Sequence, residues 1–581
     1  MKTQIQLTRI SYDKEFINTK LYLTESAQQD DELTINKISE SIVDTHRFGT
    51  PDEFHAAYEY TIKVAHKIIP RVAQSIKQNF SLCLSVNDIC IIILPFIIQF
   101  VQTVYDRYKS ILRCVSTIPN SLFVTAPSVC YVDKNIAGAM ESYARDDALN
   151  LLLYSDIIRF FSYSHIDKFH IKSKFDTPTS AGHSAKRNGF QNIFALLSEQ
   201  YGCLSKKNIH FAVGCYGVSF DNFYMALSSR IINASTFILL NGNQTISSWR
   251  NGRIERYSTD DDFESLLCYL IPKYIPTEHC ESLNGIIAAA KQIKLPRRGV
   301  LATSVGPSAD APLMVLARVS KKPLCVVEYG GGELLKDCTK RDIDEAVPDR
   351  FFGFGKANAY YLPSPFLAEM QKSKFILPPT LIANYSYRYL PRLLPALGDG
   401  TWRPYAQQRV RFLKAVEPPL RPIIRLHVHD TFSVADKMKA CFPDVVFQNY
   451  RDIHIEQVLS GSILLILDHY STTLHRTMAL NRPTILYSDA HIFTDKAMEI
   501  IEPMRSVGIW HDSPESAAAF YTNLIAGSSI SWDNVKTAVD DWWFSSEVQK
   551  IREIFCDNYA MTSKNWAYHW EKAFDDLATE F

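Results

Sequence analysis

Three neighbouring hydroxyl side chains stand where a predicted strand is followed by a predicted helix. Ser471, Thr472 and Thr473 come after the aliphatic run SILLILDH and open the segment STTLHRTMALN. A helix N-terminus leaves backbone N–H groups unpaired and carries partial positive charge, so it attracts phosphate, and nearby hydroxyls add donors. The same residue types also cap helices, which is their more common use. The segment therefore predicts either a phosphate site or a simple cap.

Three consecutive glycines form the second candidate. Gly330, Gly331 and Gly332 follow the predicted strand PLCVVEY, and without a Cβ their backbone can approach a ligand or take positive φ. The stretch is neither a G-x-G-x-x-G fingerprint nor a Walker loop, so a tight turn is the equal alternative. Glu328 and Glu333 flank the glycines, and either carboxylate could act as base or acid if a cleft closes on it.

A third polar group ends the run RPIIRLHVHD. Alternate residues of a strand share a face, so we expect Arg425, His427 and His429 to point the same way. Two histidines with Asp430 could hold a metal, but this spacing is unspecific and favours ordinary polar residues at a strand end. Arg425 has the fork geometry that suits phosphate or carboxylate. We therefore predict an anion contact at Arg425, with no metal site and no cofactor.

Strands and helices alternate from about Asn208 onward, and this alternation predicts parallel sheets with crossover helices. Two consecutive α/β sets predict two Rossmann-like domains that face a cleft, which is the default ligand site of such folds. The predicted boundaries are 1–165 for a mainly helical N-terminal region, 166–372 and 373–535 for the two Rossmann-like domains, and 536–581 for C-terminal helices.

Length and composition limit the class of protein. The 581 residues imply several domains, and 62 basic against 62 acidic residues argue against a nucleic-acid partner. Twelve scattered cysteines without a C-x-x-C pair predict reduced, buried thiols. The apolar run from Ile89 to Phe100 has 12 residues, short of the ~20 that span a membrane, and predicts a core helix. The N-terminus lacks an apolar signal region, so we expect a cytoplasmic location.

Together these motifs resemble a family of bacterial transferases encoded among surface-polysaccharide genes, whose fold is similar to GT-B glycosyltransferases. The resemblance implies a metal-independent glycosyltransferase with a nucleotide-sugar donor and a cell-surface glycan or glycoprotein acceptor. The first Rossmann-like domain would face the acceptor and the second the nucleotide sugar, and any association with a membrane would be peripheral. The resemblance covers most of the chain and rests on ILPFIIQFVQTVYDRY, LNLLLYSDII, LPRRGVLATSVG, YGGGELL, DEAVPDRFFGFG, LPSPFL, NYSYRYL, IIRLHVHD, STTLHRTMALNRPTILY, RSVGIWHDSPESAA and DDWWFSSEVQKIREIF.

The resemblance also implies roles for the donor-side residues. Ser471, Thr472 and Thr473 would bind the donor phosphate. Pro483 and Thr484 would close that side of the nucleotide pocket.

On the other side of the cleft, Gly330, Gly331 and Gly332 would line the face of the first domain. Arg425 would reach a phosphate or an acceptor carboxylate.

This chain departs from the family at two positions. The family usually has a histidine before its paired glycines, where this chain has Tyr329, and a glutamate in the helix after the hydroxyls, where this chain has Arg476. His475 is adjacent to Arg476 but would point about 100° away on a helix, so it is not a clear substitute.

These departures leave the reaction open. Either the chain uses other groups, with Glu328, Glu333 and Tyr329 as the candidate catalytic residues and one of the two carboxylates as base, or its activity is weakened or lost. An alditol-phosphate transferase, a nucleotide-sugar epimerase and a non-catalytic binding protein of the same fold are the alternatives.

Overall fold

The computed structural model contains three parallel β-sheets, each accompanied by helices. It describes residues 3–9, 20–30, 35, 40–44, 48, 50–168, 208–215, 230–233, 246–255, 261–293, 295, 297–304, 311–332, 334–336, 341–368, 376–384, 386–393, 402–427, 429, 432–488, 493–525 and 532–581.

The N-terminal region is mainly helical, but it also contains a four-stranded parallel sheet in the order β2–β1–β3–β4. The sequence predicted the helices and not this sheet, because its strands have three to five residues and little aliphatic patterning. The elements are β1 (Thr3–Gln6), β2 (Lys20–Tyr22), α1 (Pro51–Asn79), α2 (Val86–Thr117), β3 (Ser121–Thr125), α3 (Ile136–Arg145), α4 (Asp147–Phe160) and β4 (His165–Asp167).

The first α/β domain is a five-stranded parallel sheet in the order β6–β5–β7–β8–β9, one of the two common doubly wound orders. Its strands β7 and β8 are buried along their whole length, as expected where helices cover both faces. The elements are β5 (His210–Val213), β6 (Ile231–Asn233), α5 (Asp262–Tyr274), α6 (Leu283–Gln292), β7 (Leu301–Thr303), α7 (Ala311–Ser320), β8 (Leu324–Val327), α8 (Arg341–Ala346), β9 (Arg350–Phe352) and α9 (Pro365–Ala368).

Helix α2 connects the N-terminal region to the first α/β domain. It begins with a capping box between Ser85 and Asp88, and its residues join one hydrophobic core with α5 and α7. Among the described residues, this one helix is long and apolar enough to cross a membrane by length and composition. However, 78% of its most apolar window is buried inside the structure. The predicted core helix is therefore confirmed.

The second α/β domain is a six-stranded parallel sheet in the order β12–β11–β10–β13–β14–β15. Counted within the domain, this is the order 3-2-1-4-5-6, whose topological switch point lies between the first and fourth strands, here β10 and β13. The elements are β10 (Thr380–Ile382), α10 (Arg403–Ala415), β11 (Ile423–Arg425), α11 (Val434–Cys441), β12 (Phe447–Gln448), α12 (Ile455–Gly461), β13 (Leu465–Leu467), α13 (Thr472–Ala479), β14 (Thr484–Tyr487), α14 (Met498–Ser506), β15 (Trp510–His511) and α15 (Pro514–Ile525).

Three C-terminal helices complete the chain: α16 (Trp532–Trp543), α17 (Ser546–Tyr559) and α18 (Trp566–Glu580). Helix α17 packs into the core of the second α/β domain, whereas α18 returns to the first and buries Trp566, Trp570 and Phe574 against its sheet. The predicted fold class, two Rossmann-like domains with a helical N-terminal region and C-terminal helices, is confirmed.

Replacing Trp570 tests the contribution of α18 to the first α/β domain. The side chain is fully buried and its indole N–H donates to the carbonyl of Pro363 at 2.9 Å. We expect Trp570→Ala to lower the free energy of unfolding by about 3–5 kcal/mol in denaturant titrations. Tyr568→Ala on the same helix is the control, because Tyr568 is 64% exposed and should change stability little. Equal effects of the two changes would contradict this assignment.

Candidate functional site

The glycines of the first α/β domain contact the start of α13 in the second. We call Gly330, Gly331 and Gly332 the glycine triplet. A Cβ on Gly330 would lie 2.2 Å from Oγ1 of Thr472, and a Cβ on Gly331 would lie 2.6 Å from Nδ1 of His475. Gly331 and Gly332 have φ of +86° and +94°, a region that favours glycine. The structure therefore brings together the glycines and the hydroxyl-bearing helix that the sequence singled out separately.

Ser471, Thr472 and Thr473, the hydroxyl triplet, lie at the N-terminus of α13 and are all partly exposed. Ser471 is the N-cap residue, and its Oγ accepts a hydrogen bond from the backbone N–H of Thr473 at 3.3 Å. The capping interpretation is thus correct for Ser471. It leaves the phosphate prediction in place for the helix as a whole, because these hydroxyls lie where the two α/β domains meet and not in a packed interior.

His475 and Arg476 point in different directions from α13. His475 is fully buried against the glycine triplet, where its Nε2 accepts from the Tyr470 hydroxyl at 2.8 Å and its Nδ1 donates to the carbonyl of Tyr559 at 2.9 Å. Burial lowers the pKa of His475 to about 4. Arg476 instead pairs with Glu456 at 3.2 Å and lies over the Phe366 ring. Both side chains therefore have structural contacts at this junction.

The predicted catalytic residues of the first domain occupy different environments. Glu328 is 5% exposed, and its Oε2 accepts from the backbone N–H of Phe354 at 2.8 Å, which links the ends of β8 and β9. One oxygen of the carboxylate that was predicted to act as a base is therefore held in a structural hydrogen bond. Tyr329 is 45% exposed beside the glycine triplet, and Glu333 lies outside the described residues.

Arg425 lies farther from the hydroxyl triplet than expected. It ends β11, is 6% exposed, and donates through Nη1 to Oε1 of Gln448 on β12 at 3.1 Å. Burial lowers its pKa. Strand β10 separates β11 from β13, so about 10 Å of sheet separates Arg425 from the strand that leads to the hydroxyls. The prediction that Arg425 reaches the same phosphate is not supported by this placement.

The positions of Pro483 and Thr484 correct another prediction. Thr484 pairs with Leu465 at the amino end of the parallel strands, whereas the hydroxyl triplet follows Leu467 at the carboxyl end. Helix α13 runs back along the sheet between these two edges. Pro483 and Thr484 therefore lie at the opposite edge and cannot close a pocket around residues 471–473.

The switch point of the second domain is bridged by a buried carboxylate. Asp468, directly after β13, accepts from the backbone N–H of Asn384, directly beyond β10, at 3.0 Å. It also accepts from Nδ1 of His469 at 2.7 Å and from Nε of Arg409. Burial alone would raise the pKa of Asp468, but the charge of Arg409 and these hydrogen bonds outweigh burial and lower it. The crevice thus has a fixed, ionised floor.

A recess opens beside this carboxylate at the carboxyl ends of β10 and β11. Within it, the backbone N–H of His429 donates to Nδ1 of His427 at 3.2 Å, which leaves the proton of neutral His427 on Nε2. Burial and the nearby charges of His429, His469, Arg145 and Arg409 lower the pKa of His427 to about 4. We call this the switch-point recess; it is lined by Asn384, Ser386, Trp402, Tyr405, Arg409, Leu426, His427, His429, Phe432 and Val434.

Sequence reasoning identified the two recess histidines but not their surroundings. It considered a metal at HVHD, yet no group of three or more His, Cys, Asp or Glu among the described residues is placed to hold one, and Asp430 lies outside them. Trp402, Tyr405 and Arg409 belong to no recognisable sequence motif, so no local pattern predicted them. Arg145 belongs to α3, more than 280 residues earlier in the chain, and no local pattern could have linked it to His427.

The chain thus contains two doubly wound α/β domains that meet where a glycine loop contacts a helix N-terminus. Proteins of this class bind ligands in a crevice at the carboxyl edges of their sheets. Residues 7–574 match the LIC12162 family transferase, and the chain belongs to that family. The resemblance to a transferase family is thereby confirmed.

Comparisons with individual proteins add little to the family assignment. None of the curated proteins with which the chain was compared matches it. A mutant O-GlcNAc transferase of Thermobaculum terrenum is 8% identical, covers 90% of this chain and 99% of its own, and gives a TM-score of 0.31. MurG of Acinetobacter baumannii is 12% identical, covers 67% of this chain and 96% of its own, and also gives a TM-score of 0.31.

The glycine triplet can be tested by adding a single methyl group. Gly330→Ala would place its Cβ against Thr472, so we expect the free energy of unfolding to fall by about 1–3 kcal/mol. Gly285→Ala on α6 is the matched control, because a Cβ there meets no atom within 4 Å. In the first turn of that helix the same change should stabilise the protein by less than about 1 kcal/mol. Denaturant titrations that show no difference between the two variants would contradict the contact.

Buried neutral histidines should make the fold sensitive to acid. The pKa of His475 is about 4 in the folded state, against about 6.5 unfolded, so between these values the unfolded chain binds more protons. The contribution of neutral His475 to the free energy of unfolding is therefore fully present above pH 6.5 and is lost as the pH falls toward 4. For this group alone we expect a loss of roughly 2 kcal/mol between pH 7 and pH 5.

The measurement is the free energy of unfolding at pH 7 and pH 5 for the native chain and for His475→Gln. His210 and His279 also have lowered pKa values and contribute to the same loss, so only the difference between the two chains isolates His475. The variant should lose less stability on acidification. An identical loss in both chains would show that His475 does not titrate in this range.

Proposed function

We propose that this transferase moves a sugar from a nucleotide-sugar donor to a cell-surface glycan or glycoprotein acceptor. The observation that carries the proposal is the contact between the glycine triplet and the start of α13, where a Cβ on Gly330 would lie 2.2 Å from Thr472. The contact puts partly exposed hydroxyls and the N-terminus of α13 at the junction of the two α/β domains. A donor phosphate bound there would face a reacting partner held by the first domain.

The proposed chemistry needs stabilisation of a leaving phosphate and a base for the acceptor hydroxyl. The N-terminus of α13 supplies partial positive charge, and the Thr473 hydroxyl supplies a donor, so both would stabilise negative charge as the sugar–phosphate bond breaks. Since Glu328 is bonded to Phe354, Glu333 is the stronger candidate base. We place the reaction in the cytoplasm, with any membrane association peripheral.

Turnover assays with the purified full-length chain test the proposal. We expect nucleotide release from at least one member of a panel of UDP-, GDP-, CMP- and dTDP-sugars, measured by chromatography. Thr473→Val should lower kcat/KM about 10–100-fold, because it removes a hydrogen bond to a charged group. The control is Thr579→Val, an exposed threonine near the end of α18. Release from none of the donors, or equal effects of both variants, would contradict the proposal.

A second candidate function is nucleotide binding without turnover. It is favoured by the carboxylate of Glu328, which is buried and bonded to the backbone of Phe354, and by Tyr329, which stands where the resemblance expects a histidine. Calorimetric binding of a nucleotide sugar with no release after prolonged incubation would support this candidate. An alditol-phosphate transferase or an epimerase would instead be identified by the mass of the product.

A further inference from the structure

The wall of the switch-point recess contains a buried hydrogen-bond donor for which the described residues offer no acceptor. Trp402 is 2% exposed and stacks on Phe432 with ring centroids 5.4 Å apart, yet its buried Nε1 has no hydrogen-bond partner in the part of the chain that the structure describes. An indole N–H donates and never accepts. Buried polar groups are nearly always paired, so this donor calls for an acceptor, and Trp402 is one of the residues that line the recess.

A second such donor comes from the N-terminal region. Arg145 ends α3, and Nε of its guanidinium is buried without an acceptor among the described residues. Its Nη1 pairs with Glu141, one helical turn earlier, at 2.8 Å. The end of α3 is fixed to the segment beyond β10, because the carbonyl of Ala144 accepts from the backbone N–H of Tyr389 at 3.2 Å. The end of α3 is therefore attached to the segment beyond β10 that forms one side of the recess, and Arg145 lies beside the recess without being one of its lining residues.

Arg145 also influences the two histidines of the recess. Burial lowers the pKa of both His427 and His429, and the charge of Arg145 lowers them further, while Glu141 opposes it at His429. The buried carboxylate of the crevice floor, Asp468, is already satisfied by Arg409, His469 and a backbone N–H. The Trp402 indole and Nε of Arg145 thus remain as donors without an acceptor among the described residues, and a ligand with several acceptor oxygens would complement them.

We propose that the switch-point recess binds a phosphate group of a nucleotide, and that Arg145 of the N-terminal region determines this specificity. The inference rests on the proposed function, since the nucleotide would belong to the sugar donor. The Trp402 indole and the guanidinium donate to the phosphate oxygens, and the aromatic pair of Trp402 and Phe432 forms an apolar wall beside them. The N-terminal region is then part of the substrate site and not only a structural support.

Binding calorimetry on the full-length chain tests the proposal with three kinds of probe: nucleoside diphosphates (UDP, GDP, ADP and dTDP), the matching nucleosides, and inorganic phosphate. We expect Arg145→Gln to weaken the best nucleotide about tenfold without weakening its nucleoside. Trp402→Phe, which removes the N–H and keeps an aromatic ring, should also weaken the nucleotide. Glu141→Gln should bind as tightly as the native chain or more tightly, because it leaves the Arg145 charge uncompensated.

The control is Arg411→Gln on α10, an exposed arginine paired with Glu515, with unfolding temperatures compared for every variant. A structural role for the Glu141–Arg145 pair would weaken all ligands in both Arg145→Gln and Glu141→Gln, and would overturn the proposal. Unchanged nucleotide binding in Arg145→Gln would also overturn it while leaving the proposed function intact.

The probes also separate the sources of phosphate. Equal binding of inorganic phosphate and nucleotides, both dependent on Arg145, supports an anion site here but counts against a nucleotide donor. A native chain that binds no nucleotide and no phosphate contradicts both this inference and the proposed function.

Discussion

A close approach between a glycine backbone of the first α/β domain and side chains of the second joins the two domains. At Gly330, Gly331 and Gly332 the loop after β8 has no side chains, and the space that a Cβ would need is filled by Thr472, His475 and Tyr470 of the other domain. His475 extends the contact, because its second nitrogen donates to the carbonyl of Tyr559 on α17. One histidine thus connects the glycine triplet, α13 and the C-terminal helices. The position of the hydroxyl triplet relative to the first domain depends on this contact.

Buried arginines connect the N-terminal region to the second α/β domain. Arg107 is fully buried and donates to the carbonyls of Leu390 and Tyr143. Arg388 reaches back to the carbonyl of Ser26 and to Asp30. These bonds hold the segment beyond β10 against the N-terminal region. Because this segment also forms one side of the switch-point recess, the recess has walls from two parts of the protein.

The sequence predicted those features that local pattern determines. Continuous aliphatic runs marked the buried strands, and the hydroxyls of residues 471–473 marked the start of α13. Helical geometry correctly separated His475 from Arg476, although it could not show that His475 faces the glycines. The prediction put Pro483 and Thr484 at the wrong edge of the sheet. Helix α13 runs from the carboxyl edge back to the amino edge, so residues that follow it lie far from the hydroxyl triplet. Arg145 could not be found, since its relation to His427 depends entirely on contacts between distant parts of the chain.

Unmet hydrogen-bond donors make the switch-point recess the more informative of the two candidate regions. Burial, with a smaller contribution from nearby charges, lowers the pKa of His427 to about 4, so this histidine is neutral. The charge of Arg145 is paired with Glu141, but its Nε and the Nε1 of Trp402 have no acceptor among the described residues. Buried polar groups without a partner are rare in folded proteins and call for an explanation. The hydroxyl triplet, by contrast, is partly explained by capping. A ligand with acceptor oxygens accounts for the recess in a way that helix capping and core packing do not.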